Sequence, residues 1–235
     1  MSPALLLGFA LGLRHGTDPD HLAAIDGLTR LRPKPTNGIY FAIGHGLIVT
    51  LLAVGIGKIL AERFAFLGPW ILIAVGTANL WRLLRPSRAV APSRPIVVQP
   101  LLLGMVLAAG FETSSQLSAL ILAGETKAWL LGIVFSLGMT AVDGIDGLLA
   151  AATQNSADRG QQRAATASRI LGGIVVLLSF ALGAAELAGI DLDRVALPTG
   201  LLLFAVVVGI RIWARASTPV HRSVVCVSQV PADIA

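Results

Sequence analysis

Arg14-His15-Gly16-Thr17-Asp18-Pro19-Asp20-His21 interrupts a stretch that is otherwise apolar, between Gly8-Phe9-Ala10-Leu11-Gly12-Leu13 and Leu22-Ala23-Ala24-Ile25. The eight residues carry two imidazoles, two carboxylates, a guanidinium and a proline. Charged groups inside a segment apolar enough to cross a bilayer are expensive, and they usually mark an ion or substrate pathway. Whether the segment lies in a bilayer is decided by the rest of the chain.

The chain has 235 residues, of which 55% are hydrophobic and 13% charged, with a mean hydropathy of +0.79. Soluble domains usually carry about 25% charged residues, so this composition points to a membrane protein with no separate soluble domain. Seven apolar runs can be counted, at about 3–28, 38–60, 67–84, 97–123, 128–152, 169–190 and 196–213, each near the ~20 residues of a spanning helix. The expected fold is an all-α polytopic membrane protein of about seven transmembrane helices. Residues 1–215 form a single transmembrane permease domain in this reading, and 216–235 a disordered cytoplasmic tail. The N-terminus lacks the basic region of a signal peptide, so the first run is expected to be retained.

Charge sets the orientation. Arg30, Arg32, Lys34, Arg82, Arg85, Arg88, Arg94, Arg159, Arg163, Arg169, Arg211, Arg215 and Arg222 follow the odd-numbered runs or open the sixth. The alternate connections hold only Lys58, Arg63, Lys127 and Arg194. Thirteen against four is the positive-inside pattern, which predicts the N-terminus outside and the C-terminus in the cytoplasm. The same dispersal explains the formal net charge of +5 without a nucleic-acid partner, since no single basic patch forms. The one cysteine, Cys226, excludes a disulfide framework and a thiolate metal site. The 86–100 segment, rich in Pro and Arg, reads as an extended connector, and 154–162 as a polar, flexible loop.

His15, Asp18 and His21 are spaced i, i+3, i+6, so a regular helix carries them on one face but spreads them over about 9 Å. That is too far for three ligands of one ion. Pro19 has no N–H, disfavours helical geometry at Asp18 and frees the carbonyl of His15. A kink or unwound turn there would gather the ligands, as broken helices do in transporter cores. Asp26 lies further along the same face, as a second station or an interfacial charge. The second run adds His45 between Gly44 and Gly46; alone, it reads more often as a helix-packing histidine than as a ligand. The fourth adds Glu112 with Gln116, and the fifth Asp143 with Asp146, which alternatively pair with Arg14 as structural ions. The candidate ligands are therefore His15, Asp18, Asp20, His21, His45, Glu112, Asp143 and Asp146. Imidazoles mixed with carboxylates, and no thiolate, point to a borderline divalent cation. The ion is the expected substrate, the bilayer the expected partner, and no cofactor is expected. The oligomeric state is left open.

Arg14-His15-x-x-Asp18-x-Asp20-His21, followed by Leu22-Ala23-Ala24-Ile25-Asp26, resembles the defining His-x4-Asp-His block of the nickel/cobalt transporter (NiCoT) family. Phe41-x-x-Gly44-His45 resembles its second block, Gly110-Phe111-Glu112-Thr113 its third, and Gly138-Met139-x-x-x-Asp143-x-x-Asp146-Gly147 its fourth. The blocks occur in family order over most of residues 8–150. The resemblance implies a secondary permease taking up Ni2+ or Co2+, with His15, Asp20 and His21 essential and His45 influencing selectivity. This chain departs from the pattern at Gly46 for a usual Ser, Glu112 for Asp, Gln116 for Glu and Gly144 for Thr. The family's usual eight helices place the His block in the second, whereas here it is in the first. Two rivals come from other classes: a divalent-metal exporter, and a membrane acyltransferase using His15 and Asp20. The latter lacks the soluble catalytic domain such enzymes carry, so the chain is not expected to be an enzyme.

Overall fold

The computed structural model describes residues 3–54, 66–85, 98–110, 127–190 and 193–216. These residues form eight helices: α1 (Pro3–His15), α2 (Pro19–Leu31), α3 (Asn37–Ala53), α4 (Leu67–Leu84), α5 (Val98–Gly110), α6 (Ala128–Asp158), α7 (Gln162–Leu187) and α8 (Asp193–Arg215). The tail expected at 216–235 lies, but for Ala216, outside the described residues. So do most of the 86–100 connector and the segment with Glu112 and Gln116.

The polar heart sits inside and the apolar surface outside. His15, His21, Asp26, Arg30, His45, Asn79, Asp143, Asp146 and Arg211 are all buried, whereas Leu6, Leu137, Leu177, Leu202 and Trp213 are exposed. Polar side chains buried against one another beneath an apolar exterior suit hydrocarbon rather than water. Four helical segments are long and apolar enough to cross a membrane: α4, α6, α7 and Leu197–Arg215 of α8. Two shorter apolar helical segments, α3 and Gln99–Ala109 of α5, stand beside them.

The first apolar run is not one helix. α1 ends at His15 and α2 begins at Pro19, separated by Gly16-Thr17-Asp18. Pro19 takes the first helical position of α2, where a missing N–H costs nothing. Asp18 before it is extended, with φ −63° and ψ 146°, as a residue preceding proline prefers. The turn satisfies its own backbone: Gly16 N–H donates to Gly12 O, Thr17 N–H to Arg14 O and Asp18 N–H to His15 O. The Thr17 hydroxyl also caps the Arg14 carbonyl, at 2.6 Å. At 13 residues, α1 and α2 are each about 20 Å long, short of a ~30 Å hydrocarbon layer. Neither alone is long enough to cross it.

α2 is enclosed, packing against α7, α6 and α4, while α1 lies along α6, α3 lies between α6 and α5, and α8 rests on α7, α6 and α2. One apolar cluster consists of Ala42, Ile48, Val49, Ala108, Ala109, Phe135 and Met139, and a second joins Ala24 and Ile25 of α2 to Phe41, Leu72 and Leu107. Close approach is built in at Gly38, where any Cβ would overlap the Asp143 carbonyl of α6. At Gly16, in the break, a Cβ would meet Val142 at 2.9 Å and the Met139 carbonyl at 3.1 Å. Both glycines press the His-bearing segments onto the turn of α6 that carries Asp143.

Two expectations are corrected here. The polar stretch 154–162 is not a loop: α6 continues to Asp158 and α7 starts at Gln162, leaving Arg159-Gly160-Gln161 as the connection. Its helical ends are held by Ser168, which donates to Gln154 at 2.9 Å. Arg30 and Arg211, counted as interfacial charges, are 4% and 0% exposed. α2 runs on past the end of its apolar run and Arg211 lies inside the seventh, which sets both guanidiniums among buried partners.

Candidate metal centre

The break in the first run aims its two histidines at one point. His15 is the last residue of α1 and His21 stands in the first turn of α2; their ring centroids are 4.6 Å apart. His45, from the middle of α3, completes the group, 4.5 Å from the His21 ring and 5.2 Å from the His15 ring. Ligand atoms of His15, His21 and His45 all lie within 4.8 Å of one another, and all three residues are buried. Three nitrogens bound to one ion at about 2.1 Å would sit about 3 Å apart, so a modest contraction closes the site. Phe41 and Phe135 flank the imidazoles, with ring centroids 5.1 Å from His21 and 5.4 Å from His15. They give the cluster a dry wall.

Two carboxylates stand behind the rings. Asp18 Oδ2 accepts from His15 Nδ1 at 2.8 Å, and Asp143 accepts from His21 Nδ1 at 3.1 and 3.2 Å. A carboxylate on Nδ1 fixes the tautomer and leaves the Nε2 lone pair pointing inward, the arrangement that orients metal-binding histidines. His21 Nε2 and His45 Nδ1 are buried without a hydrogen-bond partner. Buried polar atoms are nearly always satisfied, so two ring nitrogens without a partner in this cluster leave room for a ligand. His15 Nε2 and His45 Nε2 meet at 3.2 Å, an internal contact that a cation would replace.

The structure thus distributes the residues expected from sequence. His15, His21 and His45 come together; Asp18 and Asp143 reach the centre through the histidines they hold. Arg14 lies 3.7 Å from Asp18, so its carboxylate partner is Asp18 rather than Asp143 or Asp146. Asp20 is buried beside His21 in the first turn of α2. Glu112 lies outside the described residues. Asp146 joins a different group, bonded to Arg211 Nη1 at 2.5 Å, while Arg211 Nη2 donates to Asp26 at 2.8 Å. Arg211 was the residue that sequence reasoning missed. Its signal was visible, since it falls inside the seventh apolar run rather than after it.

An all-α multi-pass membrane protein with a buried three-histidine cluster at a helix break defines the class. Residues 2–62 match the NicO family, described as high-affinity nickel-transport protein. The chain is 28% identical to the nickel transporter NixA of Staphylococcus aureus, over 80% of this chain and 73% of that protein. It is 29% identical to a high-affinity nickel transport protein of Cupriavidus necator, over 61% of this chain and 58% of that one. A 55-residue segment is 46% identical to the cobalt transport protein NhlF of Rhodococcus rhodochrous, covering 21% of this chain and 15% of NhlF. No solved structure matches. The chain is thus similar to nickel and cobalt transporters, by the family model over its first quarter and by its nickel-transporter relatives over more than half of its length at under 30% identity, and the relatives it matches are named as transporters rather than enzymes.

Proposed function

We propose that the protein is a permease that takes up Ni2+ and/or Co2+ across the cytoplasmic membrane, the inner one where there are two. The observation that carries this reading is the buried cluster of His15, His21 and His45, whose ligand atoms lie within 4.8 Å of one another and which leaves two ring nitrogens without a partner. A cation entering from outside sheds water onto the three imidazoles at the break between α1 and α2. Neutral nitrogen ligands favour Ni, Co, Zn and Cu over Mg and Mn. Asp18 and Asp143 offset part of the ion's charge through the rings they hold, and Asp20 adds a third carboxylate beside His21. Seven spans, with the first broken and the N-terminus outside, suit this route. A membrane potential of 100 mV favours inward movement of a divalent cation by about 4.6 kcal/mol, from roughly 2.3 kcal/mol per charge. Uptake therefore needs no nucleotide.

The test is accumulation of nickel and cobalt in cells expressing the wild-type chain or His15→Ala, His21→Ala or His45→Ala, with membrane levels of each protein measured alongside. The expected result is accumulation reduced to that of cells lacking the protein, at undiminished membrane level. Undiminished accumulation in the His21→Ala variant would remove the site assignment. Direction is read separately: deleting an importer makes cells more tolerant of nickel, and deleting an exporter makes them more sensitive.

A further inference from the structure

The second buried polar cluster lies immediately along the same two helices. On α2, Asp26 follows His21 by five residues, about 7.5 Å; on α6, Asp146 follows Asp143 by three, about 4.5 Å. The third partner changes from His45 of α3 to Arg211 of α8. Arg211 Nη1 holds Asp146 Oδ1 at 2.5 Å and the Asp146 carbonyl at 3.2 Å, and Nη2 holds Asp26 Oδ1 at 2.8 Å. The three residues are at most 3% exposed.

Two carboxylates share one directly bonded guanidinium in a buried site, where imperfectly compensated charge is costly. Asp146 Oδ2 is buried with no hydrogen-bond partner, as is Arg211 Nε. Arg30, one turn beyond Asp26, is turned to the carbonyl and hydroxyl of Ser168. The pair Asp26 and Asp146 is therefore bonded directly by a single cation that arrives on a side chain, while Arg30 acts on Asp26 only through space. The helix that carries it also reaches the histidine break. A Cβ on Gly200 of α8 would stand 2.7 Å from the Thr17 carbonyl. Pro198, two residues earlier, lies inside α8 and cannot donate a backbone hydrogen bond.

We propose that Asp26 and Asp146 form a second divalent-cation site, of carboxylate oxygens, which the Arg211 guanidinium fills as a tethered cation until a metal ion displaces it. Its place on the transport route rests on the histidine reading above; its existence does not. An ion leaving the histidines moves along α2 and α6 towards Asp26 and Asp146. There it exchanges with Arg211, releasing α8 from the other two helices. Arg211 thereby keeps the two carboxylates from holding an ion permanently, since the guanidinium returns as the metal leaves.

Mn2+ is the probe, because oxygen-rich sites suit it better than imidazoles do. The full chain is purified in detergent as wild type, Arg211→Gln, Arg211→Met and Asp26→Asn/Arg211→Gln, and bound Mn2+ is counted by electron paramagnetic resonance. Either neutral variant should bind one Mn2+ per chain more than wild type. Its thermal midpoint should rise with added Mn2+, as for any ligand that binds the folded state. Asp26→Asn/Arg211→Gln should show neither gain. A folded Arg211→Gln or Arg211→Met protein with no additional Mn2+ overturns the proposal, as does an additional ion that survives Asp26→Asn. Failure of both neutral variants to fold, even with Mn2+ present, also overturns it, because a guanidinium the fold cannot release is a brace. Nickel binding by His21→Ala is measured in parallel. Its retention would sink the histidine reading and leave the Mn2+ result standing.

Discussion

The two buried polar clusters share α2 and α6 yet differ in what they leave unsatisfied. Around His15, His21 and His45 the bare atoms are two buried ring nitrogens without a hydrogen-bond partner. Around Asp26, Asp146 and Arg211 nearly every charge already has an opposite, and the exceptions are one carboxylate oxygen and one guanidinium nitrogen. The carboxylates at the histidines, Asp18 and Asp143, are each held by a ring nitrogen, and Arg14 stands beside Asp18, so the remaining ring nitrogens are left for an ion. Two carboxylates cannot stand empty in hydrocarbon at tolerable cost. They require a resident cation, and the chain supplies one on α8.

The largest expected effect comes from breaking the first cluster. His21→Ala or His15→Ala should abolish nickel and cobalt accumulation, because each removes a ring that no neighbouring residue can replace. Asp143→Asn should be the next largest. It keeps the shape but loses the carboxylate that orients His21, and changes of this kind cost about 10–100-fold in metal affinity. Equilibrium dialysis with Ni2+ on purified protein reads that loss. Asp18→Asn should act in the same direction through His15.

Asp146→Asn separates the clusters. It should leave the nickel affinity of the histidines within a few-fold of wild type while lowering the thermal midpoint, since breaking a buried ion pair costs about 3–5 kcal/mol when one charge is stranded. Asp26 still faces Arg211, which places the expected loss at the lower end of that range. A large fall in nickel affinity instead would merge the two clusters into one site. Acidification sharpens the same contrast. Metal binding by imidazoles requires their neutral form, so protons compete with nickel and its affinity should fall on acidification. The smallest effect belongs to Thr17→Val, which removes the hydroxyl bond to the Arg14 carbonyl. It should cost about 1 kcal/mol, visible as a slightly lower thermal midpoint at unchanged nickel stoichiometry.

Much of this molecule was legible along the chain. Apolar run lengths and low charge announce a helical membrane protein. Pro19 between Asp18 and Asp20 announces the break, because a residue without an N–H and the residue before it obey strictly local rules. The spacing of His15 and His21 likewise showed that one straight helix could not focus them. Local patterning misled at the helix ends. Residues 154–162 look like a loop by composition, yet tertiary packing and the Ser168–Gln154 bond keep most of them helical. Arg211 was read as an interfacial charge because position along a run says nothing about which side chains face it.

The amino-acid sequence by itself therefore determined the all-α membrane class, the break after His15 and the chemistry of the donor set, each being a property of composition or of neighbours in the chain. Only the tertiary structure decided that His45 joins His15 and His21, that Asp143 stands behind a ring, and that Asp146 turns to Arg211 and Asp26. Those are choices between partners far apart in sequence, made by helix packing. Gly38 and Gly16 let α3 and the break press onto α6, and the rotation of α6 then sends Asp143 to His21 and Asp146, less than one turn later, to α8.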